Sequence, residues 1–206
     1  SSDNNHAATA LDLLGWPVDD AHVDIMDART QQVSVGAFDV TLSPLIDLWG
    51  FGSENRAGLP EPTAIKEQMQ TIGMDQLELD VSGLRVRKAR ARLRMNCSAI
   101  AKGYAVDLIA EYLSSQGIER YLVEVGGEIR AVQPESTEDH WTVGIRKPRA
   151  GQAQLQAKLA LRNGAMATSG DYMNFTEVDG VRYSHIIDPE TGSPVQHQLH
   201  SVTVIA

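Results

Sequence analysis

Three short segments carry residue types that could do chemistry. The first is Tyr183-Ser184-His185-Ile186-Ile187-Asp188-Pro189, where a histidine closes a strand-like run and Asp188 opens a turn. A histidine can take a proton near neutral pH, so His185 is a candidate general base, and Asp188 could orient its ring or serve the turn. A purely structural histidine is the competing reading. The second is Ser98-Ala99-Ile100-Ala101-Lys102-Gly103-Tyr104, the expected start of a helix. Exposed N–H groups and the positive end of the helix dipole sit there beside a lysine, which like-sign electrostatics disfavours. A bound anion such as a phosphate would resolve the conflict; a Lys102 side chain reaching into solvent would resolve it equally well. The third is Ala167-Thr168-Ser169-Gly170-Asp171-Tyr172, read as a loop of small and hydroxylated residues that lets a ligand approach the backbone. An ordinary turn fits it too. The sequence contains no Gly-rich P-loop, no Cys or His cluster at zinc spacing and no Gly-x-Ser-x-Gly elbow. Cys97 is the only cysteine, which excludes an intramolecular disulfide, and its apolar-leaning surroundings suit an inert buried residue.

The elements that must position these segments follow from hydrophobic spacing and turn residues. Ala10 to Leu14 and Val18 to Thr30 read as helices, the first stopped by Gly15-Trp16-Pro17. Ser43 to Gly52 reads as a buried segment running into a loop, and Ser53 to Pro62 as a surface loop. Ile65, Met69 and Ile72 recur at helical spacing, with Gly73 as the stop. Leu77 and Leu79, then Leu84 and Val86, alternate around a Ser82-Gly83 turn, and the phase then shifts through Ala89, Ala91, Leu93 and Met95. That pattern predicts a hairpin arm with a bulge, or two short strands. Arg85, Arg87, Arg90, Arg92 and Arg94 form a basic stripe that suits a solvated strand face, with an acidic partner or nucleic acid as the alternative.

Ala101, Tyr104, Ala105, Leu108 and Tyr112 share one face of a helix running from near Ser98 to Gly117. Tyr121 to Val125 and Glu128 to Val132 flank Gly126-Gly127, a hairpin signal; Tyr172 to Val178 and Val181 to Ile187 flank Asp179-Gly180, a stronger one. Trp141 to Ile145, Leu155 to Leu161 and Val202 to Ile205 are further strands. Strands grouped in hairpins with helices between the groups predict an α+β fold with antiparallel or mixed sheets. The 206 residues allow one sizeable core or two small lobes, and a single domain over 1–206 is the expectation. The net charge of −9 argues against nucleic acid as the main partner, because phosphate backbones are bound by surplus Lys and Arg. No apolar run approaches the roughly 20 residues that span a bilayer.

Taken together and in order, Gly36 to Asp39, Leu45 to Gly52, Ile100 to Asp107, Leu122 to Arg130, Trp141 to Pro148, Ala167 to Tyr172 and Ser184 to Val195 resemble the FAD:protein FMN transferases of the ApbE family, long called thiamine biosynthesis lipoproteins. The resemblance implies an ApbE-like, T-fold-like architecture. It also implies Mg2+-dependent cleavage of FAD, release of AMP, and transfer of FMN to a Thr or Ser hydroxyl of an acceptor protein. By similarity, Ala37, Phe38, Asp39, Asn96, Lys102 and Ile187 line the FAD site, and Thr168, Ser169, Gly170 and Asp171 lie beside the flavin. Ala99 matches the position whose backbone carbonyl coordinates the metal, and His185 the histidine that deprotonates the acceptor hydroxyl. Family acceptors include flavoprotein subunits of membrane redox complexes, which implies an extracytoplasmic, periplasmic site at the inner membrane, with any lipid anchor outside this chain.

Three departures from the family pattern stand out. Position 96 is Asn where the family usually has Asp, which keeps an acceptor oxygen and removes a charge. The family's N-terminal Met-Gly-Thr strand and following tyrosine are absent, and the chain ends at Ala206, before the Asp and Thr that complete the metal site. The competing expectations are an FAD pyrophosphatase, in which water replaces the acceptor hydroxyl, and a non-catalytic flavin-binding protein.

Overall fold

The computed structural model describes residues 34–52, 58–80, 85–149 and 154–206. The two helices expected before Thr30 lie outside them, as do residues 53–57 of the Ser53 to Pro62 loop and the Ser82-Gly83 turn. In chain order the helices are α1 (Ser43–Leu48), α2 (Pro62–Met69) and α3 (Ser98–Ser115). The strands are β1 (Leu77–Asp80), β2 (Arg85–Lys88), β3 (Tyr121–Val125), β4 (Glu128–Val132), β5 (Trp141–Arg146), β6 (Leu155–Leu161), β7 (Gly164–Gly170), β8 (Phe175–Val178), β9 (Val181–Ser184) and β10 (Ser201–Ile205). All the described strand pairings are antiparallel, so the fold is α+β as expected from the hairpin signals.

The chain divides into two compact units. The first holds the described residues up to Ile100 together with Asn174–His197; the second holds Ala101–Met173 and Gln198–Ala206. In the first, α1 is a short helix with Pro44 in its first turn, where a missing N–H costs nothing. Leu42, Leu45 and Leu48 present one face three residues apart and pack with Ile187 into a core flanked by Ile65, Met69 and Ile72. The segment expected to be buried is therefore a helix. Two hairpins complete this unit, β1 with β2 and β8 with β9.

The second unit is built on a four-stranded sheet in the order β10-β7-β4-β3, plus the β5–β6 pair. Val106 and Ala110 of α3 pack with Tyr121 and Val123 of β3, while Ala131, Val143, Leu161 and Met166 form a second cluster. Gly126-Gly127 joins β3 to β4 with φ of 58° and 100°, the left-handed backbone that a two-residue hairpin requires and glycine adopts without strain. α3 ends as the Gly117 signal predicts: Gly117 N–H donates to Ser114 O and Ile118 N–H to Leu113 O, satisfying carbonyls left over at the last turn.

The structure corrects several local expectations. α2 stops at Met69, capped at Gln70, before Gly73. β2 ends at Lys88, because Ala89 N–H turns back to Gln76 O and Leu93 N–H closes a tight turn on Arg90 O; the alternation through Met95 is not a strand. The face of α3 that packs is Val106, Ile109, Ala110 and Leu113 with buried Ala105, whereas Tyr112 is exposed, so the buried stripe is rotated from the one read off the aromatic spacing. β8 begins at Phe175 and β9 ends at Ser184, shorter than the alternation suggested. Cys97 is half-buried rather than buried. All five arginines of the basic stripe are exposed, the solvated-face reading.

Candidate functional site

The sequence-derived site residues fall into two groups. Ala37, Phe38, Asp39, Asn96, Ala99, His185 and Ile187 lie in the first unit, and Lys102, Thr168, Ser169, Gly170 and Asp171 in the second.

In the first unit, Asp39 caps a 3-10 turn, Val40–Leu42: its Oδ1 accepts from Thr41 N at 2.7 Å and from Thr41 Oγ1 at 2.6 Å. Val40 O accepts the Asn96 N–H at 2.7 Å, which ties the Asp39 segment to the approach of α3. Asn96 Oδ1 in turn accepts from Ser98 N at 3.0 Å, satisfying one of the orphan donors at the start of that helix. Asn and Asp serve this bond equally well, so the local fold tolerates the departure at position 96. Ala37 is exposed and, with Val35, Gly36, Asp188, Pro189 and Glu190, lines an open cleft of about 400 Å³. Ile187 is buried at 6% exposure in the α1 core, so its side chain packs; any ligand contact from this position falls to its backbone.

His185 directly follows β9. Its backbone N–H donates to Asn174 O at 3.1 Å, and its ring Nδ1 lies 3.1 Å from the same carbonyl. A carbonyl can only accept, so Nδ1 carries the hydrogen in the neutral ring and Nε2 is the basic nitrogen. The Phe51 ring meets the imidazole edge to face at 6.5 Å, and Trp49 stacks on Tyr183 at 5.6 Å while donating Nε1–H to Gly192 O at 2.9 Å. These aromatics just after α1 set the imidazole's surroundings, and sequence reasoning missed their role; Trp49-Gly50-Phe51 beside a glycine turn was the available signal. Asp188 serves the turn: its Oδ1 accepts from Glu190 N at 2.8 Å and its carbonyl from Gly192 N at 2.8 Å. The choice between orienting the ring and making the turn is settled for the turn.

In the second unit, the Lys102 side chain does not simply reach into solvent. Its Nζ donates to Gly126 O at 3.1 Å and lies 2.8 Å from Glu128 Oε2. The approach to Oε2 is oblique, making this an ion pair without a well-aligned hydrogen bond, since that buried oxygen has no partner that meets hydrogen-bond geometry. Glu128 was missed because the carboxylate that neutralises the helix-start lysine comes from a hairpin 26 positions along the chain.

The Ala167 to Tyr172 segment is corrected: Thr168, Ser169 and Gly170 belong to β7 and are not a loop. β4 pairs with the first half of β7 and β10 with the second, and Thr168 Oγ1 bonds Thr203 Oγ1 across the β7–β10 ladder at 2.9 Å. Asp171 and Tyr172 lie past the strand. The buried Asp171 carboxylate meets His200 Nδ1 at 3.1 and 3.2 Å, and the Asp171 N–H donates to His200 O, a pairing that sequence order did not suggest.

A hard cation such as Mg2+ wants about six oxygens. Among the described residues no three His, Cys, Asp or Glu side chains converge, and Ala99 offers one backbone carbonyl in the first turn of α3. The described residues therefore do not by themselves make up a Mg2+ shell.

The model of the ApbE family matches residues 4–206, essentially the whole chain. The chain belongs to the ApbE family. Among its curated relatives, a FAD:protein FMN transferase of Vibrio cholerae is 43% identical over 86% of this chain and 53% of its own length. One of Klebsiella pneumoniae is 39% identical over 98% of this chain and 58% of its own. Among solved structures, the flavin transferase ApbE from Vibrio cholerae superposes with a TM-score of 0.79 at 40% identity, covering 93% of this chain and 60% of that one. The ApbE protein of Thermotoga maritima gives 0.81 at 33% identity, covering 92% and 61%. Family and fold thus agree, and the chain spans somewhat over half the length of these relatives.

Proposed function

We propose that this protein is a flavin transferase that cleaves FAD and passes FMN to a Ser or Thr hydroxyl of an acceptor protein. The observation that carries this is the joint match in sequence and fold, at 40% identity, to a solved flavin transferase over 93% of the chain. The geometry of His185 supports the chemistry. With Nδ1–H fixed on the Asn174 carbonyl, Nε2 takes the proton of the acceptor hydroxyl. The hydroxyl oxygen then bonds the phosphorus of the FMN half, and the bond from that phosphorus to the AMP oxygen breaks, AMP leaving with the electron pair. In the first unit, Ala37, Phe38, Asp39, Asn96 and the Ile187 backbone are the residues we assign to the nucleotide. In the second, Lys102 is the cation assigned to the pyrophosphate, and Thr168 to Asp171 the strand end assigned to the flavin.

A divalent cation, expected as Mg2+ with the Ala99 carbonyl as one ligand, would neutralise charge building on the leaving phosphate. An acceptor subunit of a membrane redox complex and an extracytoplasmic, periplasmic location accompany the reading through the family resemblance. Among the described residues no helix is long and apolar enough to cross a membrane.

The test is to incubate the full-length protein with FAD, Mg2+ and a candidate acceptor, then follow covalent flavin fluorescence on a denaturing gel, with and without a chelator. A labelled acceptor plus AMP is the expected result. Free FMN with no labelled acceptor would sink the transferase reading in favour of a pyrophosphatase, and FAD bound without turnover would favour a binding protein.

A further inference from the structure

We infer that Glu128 is a positioning residue that holds the Lys102 ammonium in place for an anionic phosphate, with the Gly126 turn as its cradle. The inference rests on the flavin-nucleotide reading above and deepens it. Three independent features converge on one side chain. Lys102 stands in the second turn of α3, near the positive end of the helix dipole, where a cation is disfavoured unless an anion answers it. Glu128 answers it: its carboxylate is 2.8 Å from Nζ, and the two side chains are only 13% and 22% exposed, so neither charge is left to solvent alone. The backbone is shaped to the same end. Gly126 has φ of 58°, its carbonyl accepts from Nζ at 3.1 Å, and a Cβ at this position would come within 2.8 Å of Lys102 Cδ. Any side chain at 126 would push the lysine stem aside.

The ammonium has three N–H donors. Gly126 O takes one, Glu128 lies within reach of a second, and a third is left for an incoming phosphate oxygen. A flexible four-carbon stem is thereby fixed before the ligand arrives, so binding does not have to order it. Arg130 and Asp107, paired at 2.6 Å, fasten the same strand to the same helix one turn farther on, so β4 and α3 are clipped twice. Glu128 touches no ligand in this scheme; it acts through Lys102.

The experiment measures FAD affinity by flavin fluorescence titration, together with kcat and KM, for full-length wild type, Glu128→Gln, Lys102→Met and the double variant. Glu128→Gln should weaken FAD binding roughly tenfold while kcat changes by less than about twofold. In the Lys102→Met background, Glu128→Gln should change FAD affinity by less than about twofold, because its effect passes through the lysine. Unchanged or tighter FAD binding by Glu128→Gln overturns the inference, as does an equal loss in both backgrounds. If Glu128→Gln does not fold, the apolar pair Lys102→Met with Glu128→Met is compared with Lys102→Met alone: equal FAD affinity supports the inference and a further loss overturns it. A wild-type protein that binds no FAD defeats the functional reading itself, whereas FAD binding indifferent to Glu128 defeats only this inference.

Discussion

His185 and Lys102 are each fixed by a backbone carbonyl, but the company differs. In the first unit, short hairpins and a six-residue helix hold the imidazole through Asn174 O and the edge contact with Phe51. In the second, a long helix and a four-stranded sheet hold the ammonium through Gly126 O and a carboxylate. The difference matches the chemistry asked of each group. A base must keep a lone pair, and a carbonyl that accepts from Nδ1 leaves that lone pair on Nε2. A cation that receives phosphate must stay put, so two acceptors beside its ammonium suit it.

Four changes would break or sharpen this contrast. The largest effect is expected from His185→Ala: loss of a general base should slow covalent flavin transfer roughly 10²- to 10⁴-fold while FAD affinity stays within about twofold. Gel fluorescence and a binding titration read the two, and intact turnover would remove His185 from the proton-transfer role. Next comes Leu45→Ala, at a side chain with no exposed surface in the cluster that includes Ile187. It should cost about 2–5 kcal/mol in urea unfolding, and a cost below about 1 kcal/mol would show that the α1 core does not support the His185 side of the contrast.

Lys102→Ala should fall third, with FAD affinity down roughly ten- to hundredfold, the worth of one charge-assisted hydrogen bond. The pattern to look for is the reverse of His185→Ala, binding lost more than turnover; a variant that binds FAD normally would detach Lys102 from the nucleotide. The smallest effect belongs to Arg87→Ala. The hydrogen bond that Arg87 donates to the Glu78 carboxylate, and then that carboxylate's charge, push the guanidinium further up from its already high range, so the arginine stays protonated at any working pH. The pair is exposed on both sides, and exposed pairs contribute little, so the melting temperature should not move measurably in thermal denaturation at neutral pH. A clear drop would mean that the basic stripe does more than face solvent.

How much was legible varies by element, for physical reasons. The Gly126-Gly127 and Asp179-Gly180 hairpins were readable because positive φ is a local demand that few residues meet; both residues of the second turn have it, at 51° and 75°. The Gly117 helix stop was readable for the same reason. β7 was not. Gly164 to Gly170 is mostly glycine, alanine and other small residues with weak strand preference, and it is a strand because β4 and β10 pair with it from either side. The buried stripe of α3 was misplaced because Tyr104 and Tyr112 drew the helical face toward themselves, while packing against Tyr121 and Val123 selected the smaller Val106 and Ala110. Partners distant in sequence were also hidden: Glu128 for Lys102, Asn174 for His185 and His200 for Asp171.

By itself, then, the sequence determined the kinds of chemistry available and the places where the backbone must turn: a histidine past a strand end, a lysine near a helix start, and glycines at the hairpins. Strands grouped in hairpins were enough for the α+β class, and the ordered motifs for the family. Only the tertiary structure decided which ring nitrogen of His185 is basic, what charge stands opposite Lys102, and that Thr168 to Gly170 form a strand. Each of those depends on a group supplied from elsewhere in the chain. Local propensity acts over a few residues, whereas a hydrogen-bond tautomer or an ion pair is set by whatever the fold brings within about 3 Å.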